Sequence, residues 1–197
     1  MAVKSVDRMR LTAVYEPDES GWVNARVLEI PGINTCAPSD DEAREMLADA
    51  AQHLDYDTFQ EHIAPNTTSD FAFKGALRDE ASTVWRGMIR VEKDAQKTNA
   101  YQENRNLLLS KSAHADSIPG LEILANDVRC THGATLGQVD REQLFYLMSR
   151  GLSHAEAERV IVRGFFQDVL DRIELEPVRE ALGTALEARI PQFGDAA

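Results

Sequence analysis

The segment Arg129-Cys130-Thr131-His132-Gly133-Ala134-Thr135 places one of the chain's two cysteines two positions from a histidine. Thiolate sulfur and imidazole nitrogen are ligands suited to iron, zinc or copper. In an extended backbone residues i and i+2 project from the same face. If this segment is a strand, thiol and ring stand side by side. One Cys–His pair cannot fill a coordination sphere, so a metal held here needs ligands from elsewhere. The same two residues also suit a β core, as a buried cysteine and a hydrogen-bonded histidine, and residue type alone does not separate the two readings. Cys36, beside a turn, reads as an incidental thiol. His53, His62, His114 and His154 share no metal-binding spacing, and His154 follows a capping serine on an exposed helix turn. The chain has no Gly-x-x-x-x-Gly-Lys-[Ser/Thr] phosphate loop, no Gly-x-Ser-x-Gly elbow and no His-Glu-x-x-His. ATP chemistry is therefore expected of a partner, and no stand-alone enzyme is expected.

The 197 residues suffice for one or two domains with real cores. No run approaches the 18 apolar residues of a membrane span, and the first residues lack the apolar centre of a signal peptide. Two cysteines make no disulfide framework. Together these predict a soluble, cytoplasmic protein. The net charge of −12 and pI near 4.8 argue against a nucleic-acid surface, which needs a basic face. Acidity concentrates early: residues 1–58 hold 5 Lys/Arg against 12 Asp/Glu. Arg86, Arg90, Lys93 and Lys97 read as charges on a solvated sheet face.

Three zones would position the Cys–His segment. In the first, Leu11 to Tyr15 and Trp22 to Glu29 alternate as two half-buried strands around the turn Pro17-Asp18-Glu19-Ser20-Gly21, which predicts a hairpin. Ser39 and Glu42 form a capping box before a helix with Ala43, Met46, Leu47, Ala50, Ala51 and Leu54 on one stripe. The second zone opens with a polar connector over 62–70. It then breaks into short apolar runs separated by turns, which predicts a layered or solenoid β architecture, although no fixed period is visible. The third zone is helical. Asp140 caps a helix with Leu144, Leu147 and Met148 on its apolar face and Gly151 just past its end. Ser153 and Glu156 start a second helix with Ala157, Val160, Ile161, Gly164, Phe165 and Val169 as its buried stripe. Pro177 starts a third with Val178, Ala181, Leu182 and Leu186.

Two resemblances arise from these motifs. Trp85-Arg86-Gly87-Met88-Ile89-Arg90-Val91-Glu92-Lys93, Tyr101-Gln102-Glu103-Asn104-Arg105-Asn106, Ile118-Pro119-Gly120-Leu121, Cys130-Thr131-His132-Gly133 and Leu144-Phe145-Tyr146-Leu147-Met148-Ser149-Arg150-Gly151 resemble the SufB/SufD family of the SUF iron–sulfur cluster assembly system. Glycine after His132 resembles the SufD branch, since SufB-type members usually carry an acidic residue there. Gly21-Trp22-Val23-Asn24-Ala25-Arg26, Glu29-Ile30-Pro31-Gly32 and the helix start at Ser39 resemble the HicB-type antitoxin module.

The resemblance implies an α+β fold: residues 1–57 as a small ββα, partial RNase H-like module, 58–139 as a truncated right-handed parallel β-helix, and 140–197 as a C-terminal helical region. The truncation would leave an apolar rung and open strand edges that the first module or a partner could cover. It also implies a non-catalytic scaffold partner of a SufB-type protein and the ATPase SufC. Cys130 and His132 would then be ligands for a transient iron–sulfur cluster shared with the SufB-type partner, and the helices would dock SufC. The alternatives are an antitoxin-like regulatory module binding a small basic, HicA-like toxin, or a degenerate fusion product.

Overall fold

The structure, a computed structural model, describes residues 6–17, 23–27, 47–48, 51–173 and 176–190. Among the described residues, nine strands run in the order β1 (Val6–Pro17), β2 (Val23–Val27), β3 (Leu47–Ala48), β4 (His53–His62), β5 (Thr68–Leu77), β6 (Ser82–Val91), β7 (Asn99–Leu108), β8 (His114–Ile123) and β9 (Arg129–Gln138). They are followed by α1 (Arg141–Ser149), α2 (His154–Asp171) and α3 (Glu176–Arg189). The strands form two sheets, β2-β1-β4-β6-β8 and β3-β5-β7-β9. From β4 onward successive strands alternate between the sheets, and neighbours within each sheet are parallel.

The expected α+β class holds. So does the hairpin, since β1 and β2 pair antiparallel. The hairpin does not stand apart: β1 also runs parallel to β4, from Val6 beside His53 to Tyr15 beside His62, and so continues the first sheet. The helix expected behind Ser39 is corrected in its described part. Leu47 and Ala48 form β3, and Leu54 belongs to β4. The start of that helix lies outside the described residues. From Leu54 on, period-2 burial prevails: Leu54, Tyr56, Thr58, Gln60 and His62 are buried while the residues between them are half-exposed. β4 is unbroken across residues 57 and 58.

The repeat missing from the sequence is present in the register. His53 aligns with Ser82 and Ser82 with His114, offsets of 29 and 32 residues. Thr68 aligns with Asn99 and Asn99 with Arg129, offsets of 31 and 30. Corners also stack. Asn66 N–H donates to the Gln96 carbonyl at 2.8 Å, and Lys97 N–H to the Asp127 carbonyl at 2.6 Å. Asn66 and Lys97 both sit in the left-handed region, with φ of 60° and 61°.

The inner faces of the two sheets meet in an aromatic core. Leu54, Tyr56, Leu77, Trp85 and Ala115 pack with Phe71, Phe73 and Leu108. Trp85 is fully buried, and its ring stacks on Phe73 with centroids 6.3 Å apart. Gly87 makes room for it: a Cβ there would lie 2.3 Å from the indole and 2.5 Å from Gln102 Oε1. The polar stretch 62–70, expected to be a connector, is instead a corner with a buried hydrogen-bond set. His62 Nδ1 lies 2.6 Å from Thr67 Oγ1 and His62 Nε2 lies 2.9 Å from Ser69 Oγ. Gln60 donates to Ser69 at 2.9 Å, and the hydroxyls of Thr67 and Thr98 lie 2.9 Å apart. Desolvation lowers the His62 pKa from 6.5 to about 4, so the ring is neutral near pH 7.

α2 and α3 pack on the outer face of the second sheet around Ala76 and Leu107. Ala76 packs against Val162, Phe166, Leu186 and Ile190. The caps form as expected. Asp140 accepts from Glu142 N–H, Gly151 has φ of 96°, and Ser153 and Glu156 form a complete capping box. The buried stripe of α2 is corrected. It runs through Ala157, Glu158, Val162 and Phe166, while Val160 is 47% exposed. The row Ala157, Ile161, Phe165, Val169 and the row Val162, Phe166, Leu170 are adjacent on the helix and both are apolar, so the packing partner chooses between them. In α3, Leu182 and Leu186 are buried as expected and Ala181 is exposed.

Candidate functional site

Cys130 and His132 both lie on β9, two residues apart in a regular strand. Cys130 is in register with Ala100 and His132 with Gln102. Ala100 and Gln102 are buried, at 1% and 0% exposure, and aligned residues of parallel strands share a face. Thiol and imidazole therefore project together from the inner face. The thiol packs against the cluster of Ile89, Val91, Ala95, Ala100 and Ala125. This burial raises its pKa, partly offset by a hydrogen bond to the Ala100 backbone. His132 is exposed.

The exposure follows from position. β9 and β8 are the last strands of their sheets, so each is paired on one side only. Inner-face positions buried in the turn below become accessible here. Leu121 and Ile123 on β8 are 37% and 38% exposed, and Leu136 on β9 is 50% exposed. Ten-residue edge strands flanked by exposed aliphatic side chains form a template for pairing. Among the described residues no group of three or more His, Cys, Asp or Glu could hold a metal ion.

The other histidines are placed apart. His62 is sealed in its corner. His53 Nδ1 bonds Ser82 Oγ at 2.8 Å on the outer face, where His114 Nε2 lies 3.2 Å from Asp116. His154 is exposed, as expected. Cys36 lies outside the described residues. Arg86 and Arg90 pair with Asp55, Asp57, Glu61 and Glu92 on the outer face of the first sheet, an ordinary solvated charge ladder.

A second surface lies on the helices. Phe145 and Tyr146 of α1 are 73% and 56% exposed, and Met148 is 41% exposed. A groove of about 560 Å³ runs between α1 and α2, lined by Asp140, Glu142, Gln143, Tyr146, Leu147, Val160 and Ile161. α1 buries no residue completely. No helix among the described residues is long and apolar enough to cross a membrane.

Sequence reasoning missed a charged cluster on the outer face of the second sheet. Glu103, whose side chain is 3% exposed, accepts from the Tyr101 hydroxyl at 3.1 Å, from Arg105 Nε at 2.9 Å and from Arg172 at 3.1 Å. Lys74, 4% exposed, pairs with Asp168 and donates to the Phe165 carbonyl at 2.7 Å. Local pattern carried no sign of either, because the partners lie 69 and 94 residues away.

The chain is similar to an iron–sulfur cluster assembly SufBD family protein of Mycobacterium bovis, with 39% identity over 168 residues, 79% of this chain and 42% of the relative. It is similar to the iron–sulfur cluster assembly protein SufD of Escherichia coli, with 36% identity over 134 residues, 68% of this chain and 32% of the relative. SufD of Bacillus subtilis matches at 40% identity over 116 residues, 59% of this chain and 26% of the relative. The chain thus spans less than half the length of each. Residues 43–165 match the model of the SufBD core domain of the SUF system for iron–sulfur cluster assembly. With more than half of its length inside that match, and Cys130 and His132 paired on its last strand, this chain belongs to the SufBD family.

Proposed function

We propose that this chain is a SufD-like, non-catalytic component of a cytoplasmic SUF complex, pairing with a SufB-type protein and docking a SufC-type ATPase. The observation that carries the reading is the placement of Cys130 and His132 on the inward face of an edge strand, within the match to the SufBD core domain. We read the two parallel sheets as a truncated right-handed β-helix. Residues 1–57, 58–139 and 140–197 then serve as cap, β-helix and helical region. Parallel pairing of β1 with β4 supports the capping role of the first segment, whatever its kinship to HicB-type modules.

The chemistry follows from the geometry. The open edges of β8 and β9 would pair with strands of the SufB-type partner and bury Leu121, Ile123 and Leu136. Closure would bring partner ligands over Cys130 and His132. The iron–sulfur cluster is cargo at this interface, and thiolate and neutral imidazole are both cluster ligands. Burial keeps the thiol protonated in the isolated chain, so His132 is the group presented first. The exposed aromatic side chains of α1 and the groove beside them suit the SufC-type protein.

Co-expression with tagged SufB and SufC homologues tests the proposal. The expected result is a retained complex whose anaerobically measured iron and sulfide content falls in His132→Ala. A chain that retains neither partner, with a His132→Ala variant that leaves cluster formation unchanged, would end it.

A further inference from the structure

The helical region reaches the strand carrying Cys130 and His132 through one short chain of polar contacts. α2 spans 18 residues, about 27 Å. Toward its N-terminus Val160 and Ile161 line the groove beside α1. At its other end the capping residue Arg172 donates to Glu103 at 3.1 Å and to Asp70 at 3.3 Å. Asp70, Tyr101 and Thr131 are in register across β5, β7 and β9, and Glu103 is in register with Gly133. The Tyr101 hydroxyl donates to Glu103 and lies over Gly133, 3.1 Å from where a Cβ would stand. A side chain at residue 133 would press on that hydroxyl and make it give by a few tenths of an ångström. Thus the far end of α2 sits on the outer face of the same stretch of sheet whose inner face presents Cys130 and His132.

We infer that Arg172 is a positioning residue: through Glu103 and Tyr101 it holds β9 at residues 130–133, so that its contact with Glu103 sets the exposure of Cys130 and His132. A buried carboxylate needs its cationic partners, and loss of one leaves it under-compensated. Glu103 would then draw Tyr101 and Arg105 into new positions, and Gly133 would lose the contact above it. A partner that drew Arg172 off Glu103 would act on the site from outside the sheet. The inference rests on the proposed role of Cys130 and His132, but its test reads the strand rather than the cluster.

The test uses the full chain with Cys36→Ser, so that Cys130 is the single thiol. A soluble aromatic disulfide reports the rate of thiol modification, ring NMR reports His132, and amide exchange reports 130–134. Arg172→Gln is expected to speed Cys130 modification roughly tenfold, the scale of one charged hydrogen bond reduced for a half-exposed donor. It should also shift the His132 ring resonances and raise exchange at 130–134, and Arg172→Lys should restore part of each. Arg78→Gln, which frees α2 from its contact through Glu158 near the opposite end of the helix from Arg172, is expected to raise exchange within α2 while leaving the Cys130 rate near the parent value. If Arg172→Gln speeds exchange in α2 but leaves the thiol rate and the His132 ring unchanged, the coupling is overturned and the proposed function stands. Equal thiol acceleration in Arg78→Gln and Arg172→Gln overturns it too, because general loosening would then account for the effect. Loss of the SUF partners by the parent chain refutes the functional reading and leaves the coupling measurement valid.

Discussion

Acid should destabilise this protein through one buried ring. His62 is fully buried, and desolvation takes its pKa from 6.5 to about 4. Thr98 Oγ1 donates to the Ala95 carbonyl and so accepts from Thr67, which leaves Thr67 to accept from His62 Nδ1–H and Ser69 to donate to Nε2, so the neutral ring is satisfied in that tautomer. The lost hydration of the cation dominates. Because the folded state resists the proton that the unfolded chain accepts, the stabilisation is fully present above pH 6.5. It fades as pH falls toward 4, at about 1.4 kcal/mol per pH unit, and totals about 3 kcal/mol across the window. Carboxylates begin to titrate at the low end of that window, and the chain carries 33 of them, so the readable quantity is a difference. Urea unfolding of the parent and of His62→Gln at pH 7.5, 6.5, 5.5 and 4.5 supplies it. The variant lacks the titrating ring, so parent-minus-variant stability should be constant above pH 7 and decline below 6.5. A difference that is flat down to pH 4.5 would refute the reasoning, since it would mean that His62 titrates alike in both states.

Gly87→Ala should lower stability by about 1–3 kcal/mol, because its Cβ would enter the space of Trp85 and Gln102; thermal unfolding measures it, and an unchanged midpoint would contradict the packing. Cys130 alkylation in a Cys36→Ser background should follow a pH–rate curve whose midpoint lies above that of the urea-unfolded chain, since burial raises the thiol pKa; coincident curves would count against the inward placement. Asp168→Asn should destabilise by about 1–2 kcal/mol, an exposed carboxylate leaving a buried Lys74 with only its carbonyl and ring contacts, and equilibrium unfolding reads the loss. Ser153→Ala should reduce stability by about 1 kcal/mol through loss of the α2 cap, visible as faster amide exchange over 154–157.

How much was legible depended on the range of the interaction. The caps at Asp140 and Ser153 were readable because each partner lies within three residues. The shared face of Cys130 and His132 followed from the period of an extended chain, and the ordered motifs sufficed for the SufB/SufD resemblance. The corner at His62, Thr67 and Ser69 looked like a connector because polar residues usually mark loops; only a second sheet closing over it turned it inward. The shifted stripe on α2 has a similar origin: Ala157 is buried as expected, but Ile161 and Phe165 are as apolar as Val162 and Phe166, and the sheet decided which pair was covered.

Taken alone, the amino-acid order determined the local features: the strand alternation that places β1 and β2, helix starts and stops, the acidic balance and the kinship. Tertiary structure decided what depends on contacts across turns. It set offsets of 29 to 32 residues that no residue type repeats, made β9 an edge strand so that His132 is exposed, and placed Arg172 on Glu103. Side-chain period and capping are governed by a few adjacent dihedrals, whereas burial and charge pairing here depend on which distant segment arrives, and that is settled only when the sheets stack.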